Sequence, residues 1–397
     1  MERNSRILIL SEVFWPEDFM VNDLAREWLA MGHRVEVITQ YPSYPQSYVF
    51  DGYENRGETV EDWDGILIHR FPFIEGYKDS KLRKFANYFS FIRGGKKIAK
   101  RIGGNFDAVF VSQTGPLTVA LPAVAAGKKY GIPVTIWTLD IWPDVLWNYG
   151  VPKWKPVVWF VDRLIKKIYA GCDRICVSSK SFKDTISKYS NKDIVYAPNW
   201  LRPVEEVPSA LRLDEGKFHF TFTGNISLYQ NLANTVLGFG KAGLEDCVLD
   251  IVGDGSYMNQ LRAVVEENNV TGVVFHGRRP YGEMQDILTQ SQVLVLPLIP
   301  DEGIMKTEPL KLQSYLHAGR PILGILGGSG KDIIEENGLG VVARPDDVDD
   351  IARAFREAVE FYKEHSEEVS ARASELMRTR FCKEEIVAML TDVVLGE

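Results

Sequence analysis

SQVLVLPLIPDEGIMKTEPLKLQSYLHAGRPILGIL, residues 291–326, decides how this chain is read. The apolar run Val293 to Leu298 predicts a buried strand that breaks into a loop at Pro300. A helix is predicted to open near Pro309 and run to His317, because proline suits the first helical turn. Ala318-Gly319 then turns the chain, and a second apolar strand follows from Pro321. A strand–loop–helix–strand unit of this kind aims unpaired backbone N–H groups and the helix dipole at the space beyond the strand, which suits a diphosphate. Lys306 and Lys311 add two cations beside the helix start. An ordinary βαβ unit with a surface loop has the same order of elements, so the pattern alone leaves both readings open.

At 397 residues the chain exceeds one typical core and suits two domains of roughly 200 residues each. No uninterrupted apolar run of about 18 residues occurs, so no bilayer-spanning helix is predicted. The opening MERNSRILILSEVF lacks the apolar core and small-residue cleavage site of a signal peptide. Cys172, Cys176, Cys247 and Cys382 show neither metal-ligand nor CxxC spacing, which fits reduced thiols in the cytosol. No Ser-His-Asp arrangement, Walker loop or metal-ligand cluster is visible, and the six histidines are dispersed, so neither a metal nor another cofactor is expected.

The net charge of −8 divides unevenly, with +5 on residues 1–200 and −13 on residues 201–397. The basic surplus concentrates in KLRKFANYFSFIRGGKKIAKRIGG, residues 81–104, where basic residues without any acid surround Phe85, Tyr88, Phe89 and Phe91. Such a stretch fits a solvated helix with an aromatic core face, and also an anionic lipid surface. A second stretch of the same kind, KWKPVVWFVDRLIKKIYA at 153–170, tilts the reading toward a membrane-facing N-terminal half, with Lys96, Lys97, Lys100 and Arg101 as contacts. Nucleic acid is set aside because the rest of the chain is acidic. The expected location is the cytoplasm, peripherally on the inner face of the cytoplasmic membrane.

Strands are predicted at 6–10, 34–39, 66–70, 107–111, 133–138 and 174–178, mostly with helical stretches between them. The alternation restarts at 218–223, 248–252, 273–276, 293–298 and 322–325. Strands alternating with helices mean parallel sheets covered on both faces, hence an α/β fold of two doubly wound, Rossmann-like domains. Pro198 to Leu213, rich in proline and poor in apolar periodicity, is the natural hinge. The domains expected are residues 1–200, residues 201–375, and a C-terminal helical segment, 376–397, that crosses back to the first domain.

His317-Ala318-Gly319-Arg320-Pro321 resembles the donor-binding tail of the retaining, family-4 type glycosyltransferases, whose two-domain fold, GT-B, faces two such sheets across a cleft. Two glutamates eight residues apart mark that family; here their positions hold Lys306 and Ser314. Pro309 to Leu316, read as Pro-x-Lys-Leu-x-x-Tyr-Leu, instead resembles a branch that builds bacterial surface polysaccharides, including fucosyl- and N-acetylfucosaminyl-transferases of colanic acid and O-antigen type. Gly224-Asn225 and Gln230 stand where most members have Gly-Arg and a lysine that neutralise the diphosphate, so the cation must come from elsewhere: Lys306 first, then Lys311, then Arg278. Each of these also reads as a solvated surface cation. Asp254 and Gly255 lie in a Gly-x-Gly turn similar to the family's, a weak motif alone. Glu308 either meets ribose or sugar hydroxyls or merely serves the helix dipole.

The resemblance assigns the acceptor to the N-terminal domain. Its first loop, Phe14-Trp15-Pro16-Glu17-Asp18-Phe19-Met20, is similar to the branch's Pro-Pro-Glu-x-Gly-Gly, with bulky residues in place of the glycines, so Glu17, Asp18 and Phe19 are expected to shape a sugar or acceptor pocket. Tyr44, in a Tyr-Pro-Ser-Tyr-Pro loop, is placed to stack on a sugar. Asp140-Ile141-Trp142-Pro143 matches the branch's Asp-x-Trp-Pro, and Asp140 or Asp144 should reach the cleft. Asp140 either orients or deprotonates the acceptor hydroxyl or caps the next helix. The implied activity is transfer of a sugar, a UDP-linked N-acetyl-deoxyhexosamine such as UDP-N-acetylfucosamine being favoured, to an undecaprenyl-type lipid-linked saccharide. A nucleotide-sugar 2-epimerase of the same fold and a catalytically inactive saccharide-binding subunit are the alternatives.

Overall fold

The structure, a computed structural model, describes residues 4–148, 150–203 and 205–396. The chain forms two compact units: one runs to Pro198 and takes up Glu384 onward, and the other is Asn199–Lys383.

The first unit holds β1 (Arg6–Ser11), β2 (Arg34–Gln40), β3 (Thr59–Trp63), β4 (Ile66–Phe71), β5 (Ala108–Gln113), β6 (Val134–Thr138), β7 (Arg174–Val177) and β8 (Ile194–Tyr196) in one sheet of order β3-β4-β2-β1-β5-β6-β7-β8. All pairings are parallel except β3 with β4. β5 and β6 are buried throughout, which is why they read as continuous apolar runs rather than alternating ones. β3 and β8 carry no such signal: TVEDW is a largely exposed edge strand, and IVY is short and half-buried.

The helix Lys81–Ile102 packs through two glycines, one against the sheet and one against the helix Ala120–Tyr130. A Cβ on Gly94 would meet Phe71 at 2.3 Å, and one on Gly95 would meet Pro122 at 2.9 Å. Basic residues and aromatics thus share a helix whose buried face is Asn87, Tyr88, Phe91, Gly95, Ile98 and Ala99. The last helix, Lys383–Leu395, packs into the same unit, where Thr391 Oγ1 accepts from Trp28 Nε1 at 2.9 Å and the Val394 carbonyl from Arg174 at 2.9 Å.

The second unit holds β9 (Phe218–Thr223), β10 (Cys247–Val252), β11 (Val273–Gly277), β12 (Val293–Pro297), β13 (Ile322–Ile325) and β14 (Gly340–Ala343), in the order β11-β10-β9-β12-β13-β14. Every pairing is parallel. The 32-residue helix Val348–Thr379 opens on Asp347, whose carboxylate accepts from the Asp349 and Asp350 N–H groups.

Inside this sheet Asp250 of β10 accepts from His219 Nδ1 of β9 and His276 Nε2 of β11, each at 2.6 Å, while His219 Nε2 donates to the Asp214 carbonyl at 2.8 Å. With acceptors at both ring nitrogens, His219 is held as imidazolium. Burial pulls its pKa down, but the bonds to Asp250 and Asp214 outweigh that and hold it above its usual value. Burial likewise pushes Asp250 up, yet the two histidines hold it below the usual carboxylate range. His219 therefore stabilises below about pH 6.5 and loses its contribution as pH rises through its raised pKa. Asp250 stabilises above about pH 3.9 and loses its contribution as pH falls through its lowered pKa. Asp250→Ala, which strands both histidines, is expected to cost about 3–5 kcal/mol in urea unfolding. The difference from wild type should be largest between about pH 4 and 6.5.

Candidate functional site

In the second unit the chain leaves β9 toward β10 on one side, while β12 on the other side begins the run to β13 and β14. The carboxyl ends of β9 and β12 are thus a topological switch point, where open α/β sheets bind ligands. The loop after β9 begins with Gly224 at φ +129°, and the loop after β10 with Gly253 at φ +149°. A Cβ on Gly253 would lie 1.9 Å from the Gly224 carbonyl oxygen, and one on Gly255 would lie 2.2 Å from the Ile226 oxygen. This close approach explains the Gly-Asp-Gly turn that looked weak in sequence. Ile226 N donates to the Asp254 carbonyl at 2.9 Å and Gly253 N to the Gly277 carbonyl at 2.9 Å, so the loops after β9 and β10 and the end of β11 form one platform.

The loop after β12 joins that platform through Ile299 N, which donates to the Tyr229 carbonyl at 3.1 Å. It carries a short helix, Glu302–Met305, capped by Asp301, and then the helix Leu310–Ala318 with Pro309 as N-cap and no side-chain cap. Tyr315 fixes the second helix to the sheet: its hydroxyl accepts from Thr223 N and donates to the Val295 carbonyl, both at 3.2 Å. One turn earlier, Lys311 lies against Gly224, where a Cβ would meet its Cε at 2.6 Å. Its ammonium donates to Gln230 Oε1 and sits 4.0 Å from the centroid of the Phe222 ring. Burial alone pushes its pKa down to about 7.

Gly224, Asn225, Gln230, Asp254, Gly255 and Lys311 therefore come together at the strand ends. Lys306, ranked above Lys311 in sequence, closes the short helix half-buried, and its carbonyl accepts from Ser329 Oγ at 3.4 Å. Glu308 is buried and gives one carboxylate oxygen to Arg380 at 3.0 Å, so it anchors the loop to the end of the long helix. Ser314 is half-buried on the 310–318 helix, and Arg278 is exposed after β11.

In the first unit the switch point lies between β1 and β5. Glu12, the first residue after β1, approaches Gly115 so closely that a Cβ there would be 2.4 Å from Glu12 Oε2. Gln113, at the end of β5, donates to the carbonyls of Gly115 at 2.7 Å and Asp140 at 2.9 Å. Burial pushes Glu12 up to about 7, with Lys84 opposing the rise and Glu17 and Asp140 adding to it. Burial also pushes Asp140 up to about 7 and Lys84 down to about 8. Asp140 lies four residues ahead of the Asp144–Asn148 helix, so Asp144, not Asp140, is the acid of that helix's first turn.

Glu12 and Lys84 escaped the sequence reading. Glu12 had a signal, as the first residue past the opening strand, whereas Lys84 was absorbed into the basic stretch. Glu17 braces loops instead of lining a pocket with a free carboxylate, because it accepts from the N–H groups of Phe14, Ser43 and Tyr44 at 3.2, 2.8 and 2.6 Å. Asp18 is exposed, and Phe19 packs edge-on against the half-exposed Tyr44 at 5.3 Å. Lys78 sits 4.4 Å over the Tyr44 ring.

The basic surface differs from expectation in its distribution. Lys97 and Arg101 both pair with Glu58, at 2.6 and 2.8 Å, which offsets part of their charge and leaves Lys96 and Lys100 to carry the rest of the cluster's. Exposed apolar side chains gather instead near the helix start and on the helix Lys155–Ala170: Leu82, Phe85, Phe89, Trp154, Trp159 and Phe160. Lys81 Nζ donates to the Gly150 carbonyl at 3.1 Å and so ties the first helix to the loop that carries Trp154. Among the described residues no helix is long and apolar enough to cross a membrane.

Residues 19–203 match the family described as Glycosyltransferase Family 4, and residues 209–360 the family described as Glycosyl transferases group 1. The chain is 26% identical over 271 residues to the "Probable glycosyltransferase WbjE" of Pseudomonas aeruginosa, covering 64% of this chain and 66% of that one. It is 22% identical over 283 residues to the "Putative colanic acid biosynthesis glycosyl transferase WcaI" of Escherichia coli (strain K12), covering 66% of this chain and 68% of that one. In fold it is similar to sucrose-phosphate synthase of Thermosynechococcus elongatus, with a TM-score of 0.72, 15% identity and 98% of each chain covered. The two family matches take in most of both units, and the chain belongs to the family-4 type glycosyltransferases of GT-B fold.

Because Gly253 leaves no space for a Cβ, Gly253→Ala is expected to open the platform. Thermal stabilisation by nucleotide sugars should then fall by at least about tenfold in apparent affinity, since backbone rather than a flexible side chain must shift. Unchanged stabilisation would contradict the platform's role.

Proposed function

We propose that this protein transfers a sugar from a nucleotide diphosphate to a hydroxyl of a saccharide carried on an undecaprenyl-type lipid, in synthesis of a surface polysaccharide such as an O-antigen or capsule. The observation that carries the reading is Lys311, a half-buried lysine at the strand-end switch whose hydrogen-bond partner, Gln230, is a neutral amide. Such a group answers the negative charge that develops on a departing diphosphate, where a charge-assisted bond strengthens as the reaction proceeds. The N-terminus of the 310–318 helix adds to the same positive pole.

In the transfer the acceptor oxygen attacks the anomeric carbon while the bond to the β-phosphate oxygen breaks, and that electron pair leaves with the nucleoside diphosphate. The hydroxyl proton passes to Asp140 or Glu12, carboxyls whose burial sets them to titrate near neutrality. Attack on the face of departure, which the family resemblance implies, retains the anomeric configuration. No metal or other cofactor takes part in this scheme. The favoured donor is a UDP-linked N-acetyl-deoxyhexosamine such as UDP-N-acetylfucosamine, because Pro309 to Leu316 has the form of the surface-polysaccharide branch. WcaI's name supports the same setting.

The acceptor's lipid is met at the inner face of the cytoplasmic membrane by the exposed aromatics of the 81–102 and 155–170 helices. Basic residues between them attract an anionic headgroup layer, each contributing on the order of 1 kcal/mol near the surface.

UDP-, GDP- and dTDP-sugars compared by thermal shift test the donor: UDP-sugars should raise the melting temperature selectively, and no shift with any of them would contradict the reading. Asp140→Asn and Glu12→Gln should lower kcat by roughly 100-fold or more while nucleotide-sugar affinity stays within about twofold. Phe89→Glu combined with Trp159→Glu and Phe160→Glu should release the protein from phosphatidylglycerol vesicles. Unchanged co-sedimentation would remove the membrane from the account.

A further inference from the structure

Lys311 has an arrangement that a simple phosphate-binding cation does not need. Its ammonium rests on the face of Phe222, and its stem fills the space against Gly224 that a side chain there would occupy. Its hydrogen-bond partner, Gln230, is neutral, and no carboxylate contributes to its electrostatics. The titratable groups on the surrounding elements are otherwise engaged or solvated. Tyr315 bonds Thr223 and Val295, Asp301 caps the 302–305 helix, and Glu308 faces Arg380. Asp254 is exposed and takes the Gly255 N–H, and Tyr229 is half-exposed.

A charge held partly out of water without a counter-ion is unfavourable, so above neutral pH the amine favours its neutral form until an anion arrives. We propose that, above neutral pH, binding of the donor diphosphate draws a proton from solvent onto Lys311, so that the phosphate site gains its full cation when the donor is present. The inference rests on the donor reading above and adds a proton to it. The sign follows from the burial of the free amine, which holds it near a pKa of about 7. Below that value Lys311 is already charged and binding takes up little. Above it, binding must recharge the amine, and apparent affinity falls about tenfold for each further pH unit. The family's usual arginine and lysine after β9 would not behave this way if left exposed to solvent, since both stay charged far above neutrality.

The test is isothermal titration of the full-length protein with UDP-N-acetylglucosamine, UDP-glucose and GDP-mannose. Both phosphates of such ligands are esterified, so the ligand does not itself titrate near neutrality. Heats measured in HEPES and in Tris at pH 8 give the number of protons taken up. About 0.9 protons are expected for wild type. Close to zero is expected for Lys311→Arg, whose guanidinium stays charged. Lys311→Met, which carries no charge at any pH, should bind at least about tenfold more weakly and also take up none. Binding accompanied by less than about 0.2 protons in wild type, or by equal uptake in wild type and Lys311→Met, would overturn this inference and leave the donor reading intact. Failure of all three nucleotide sugars to bind at any pH would overturn both.

Discussion

The second unit is organised around the approach of Gly253 to the carbonyl oxygen of Gly224, a contact no residue with a Cβ can make. That contact brings the ends of β9 and β10 together as a backbone platform, to which the end of β11 adds a further hydrogen bond. Lys311 can fold over the platform only because Gly224 also lacks a side chain. Tyr315, one helical turn on, fixes the depth at which the lysine enters. The electrostatics of the site are thus a consequence of two glycines and one tyrosine hydroxyl, and the lysine's low pKa follows from its enclosure.

The same logic accounts for the relocation of charge. Where the family resemblance calls for an arginine and a lysine after the first strand of the domain, this chain has Asn225 and Gln230. Gln230 does not substitute for the missing charge but holds Lys311, which comes from a different element across the switch point. In the first unit a comparable economy operates: Glu17 is occupied entirely by backbone N–H groups, which leaves Glu12 and Asp140 as the acids beside Gln113.

Much of the architecture was legible because buried parallel strands are written as apolar runs. Arg6–Ser11, Ala108–Gln113, Val134–Thr138 and Val293–Pro297 all announce themselves this way. Thr59–Trp63 did not, because an exposed edge strand needs no apolar alternation, and Gly340–Ala343 is too short to show any. The glycine turns at Gly224 and Gly253–Gly255 were legible by motif, and the structure brings them together. The ranking of Lys306 over Lys311 was not, because sequence spacing cannot say which of two nearby lysines is turned onto an aromatic ring. The roles of Glu308 and Glu17 were hidden for the same reason: Arg380 lies 72 residues from the first, and Ser43 lies 26 from the second.

Hydrogen–deuterium exchange with saturating UDP is the decisive measurement, because it reads the backbone of the platform itself. Slowed exchange is expected, confined to the amides of residues 225–231, 253–257 and 310–313. Protection elsewhere in the second unit, with those three segments unchanged, would contradict it.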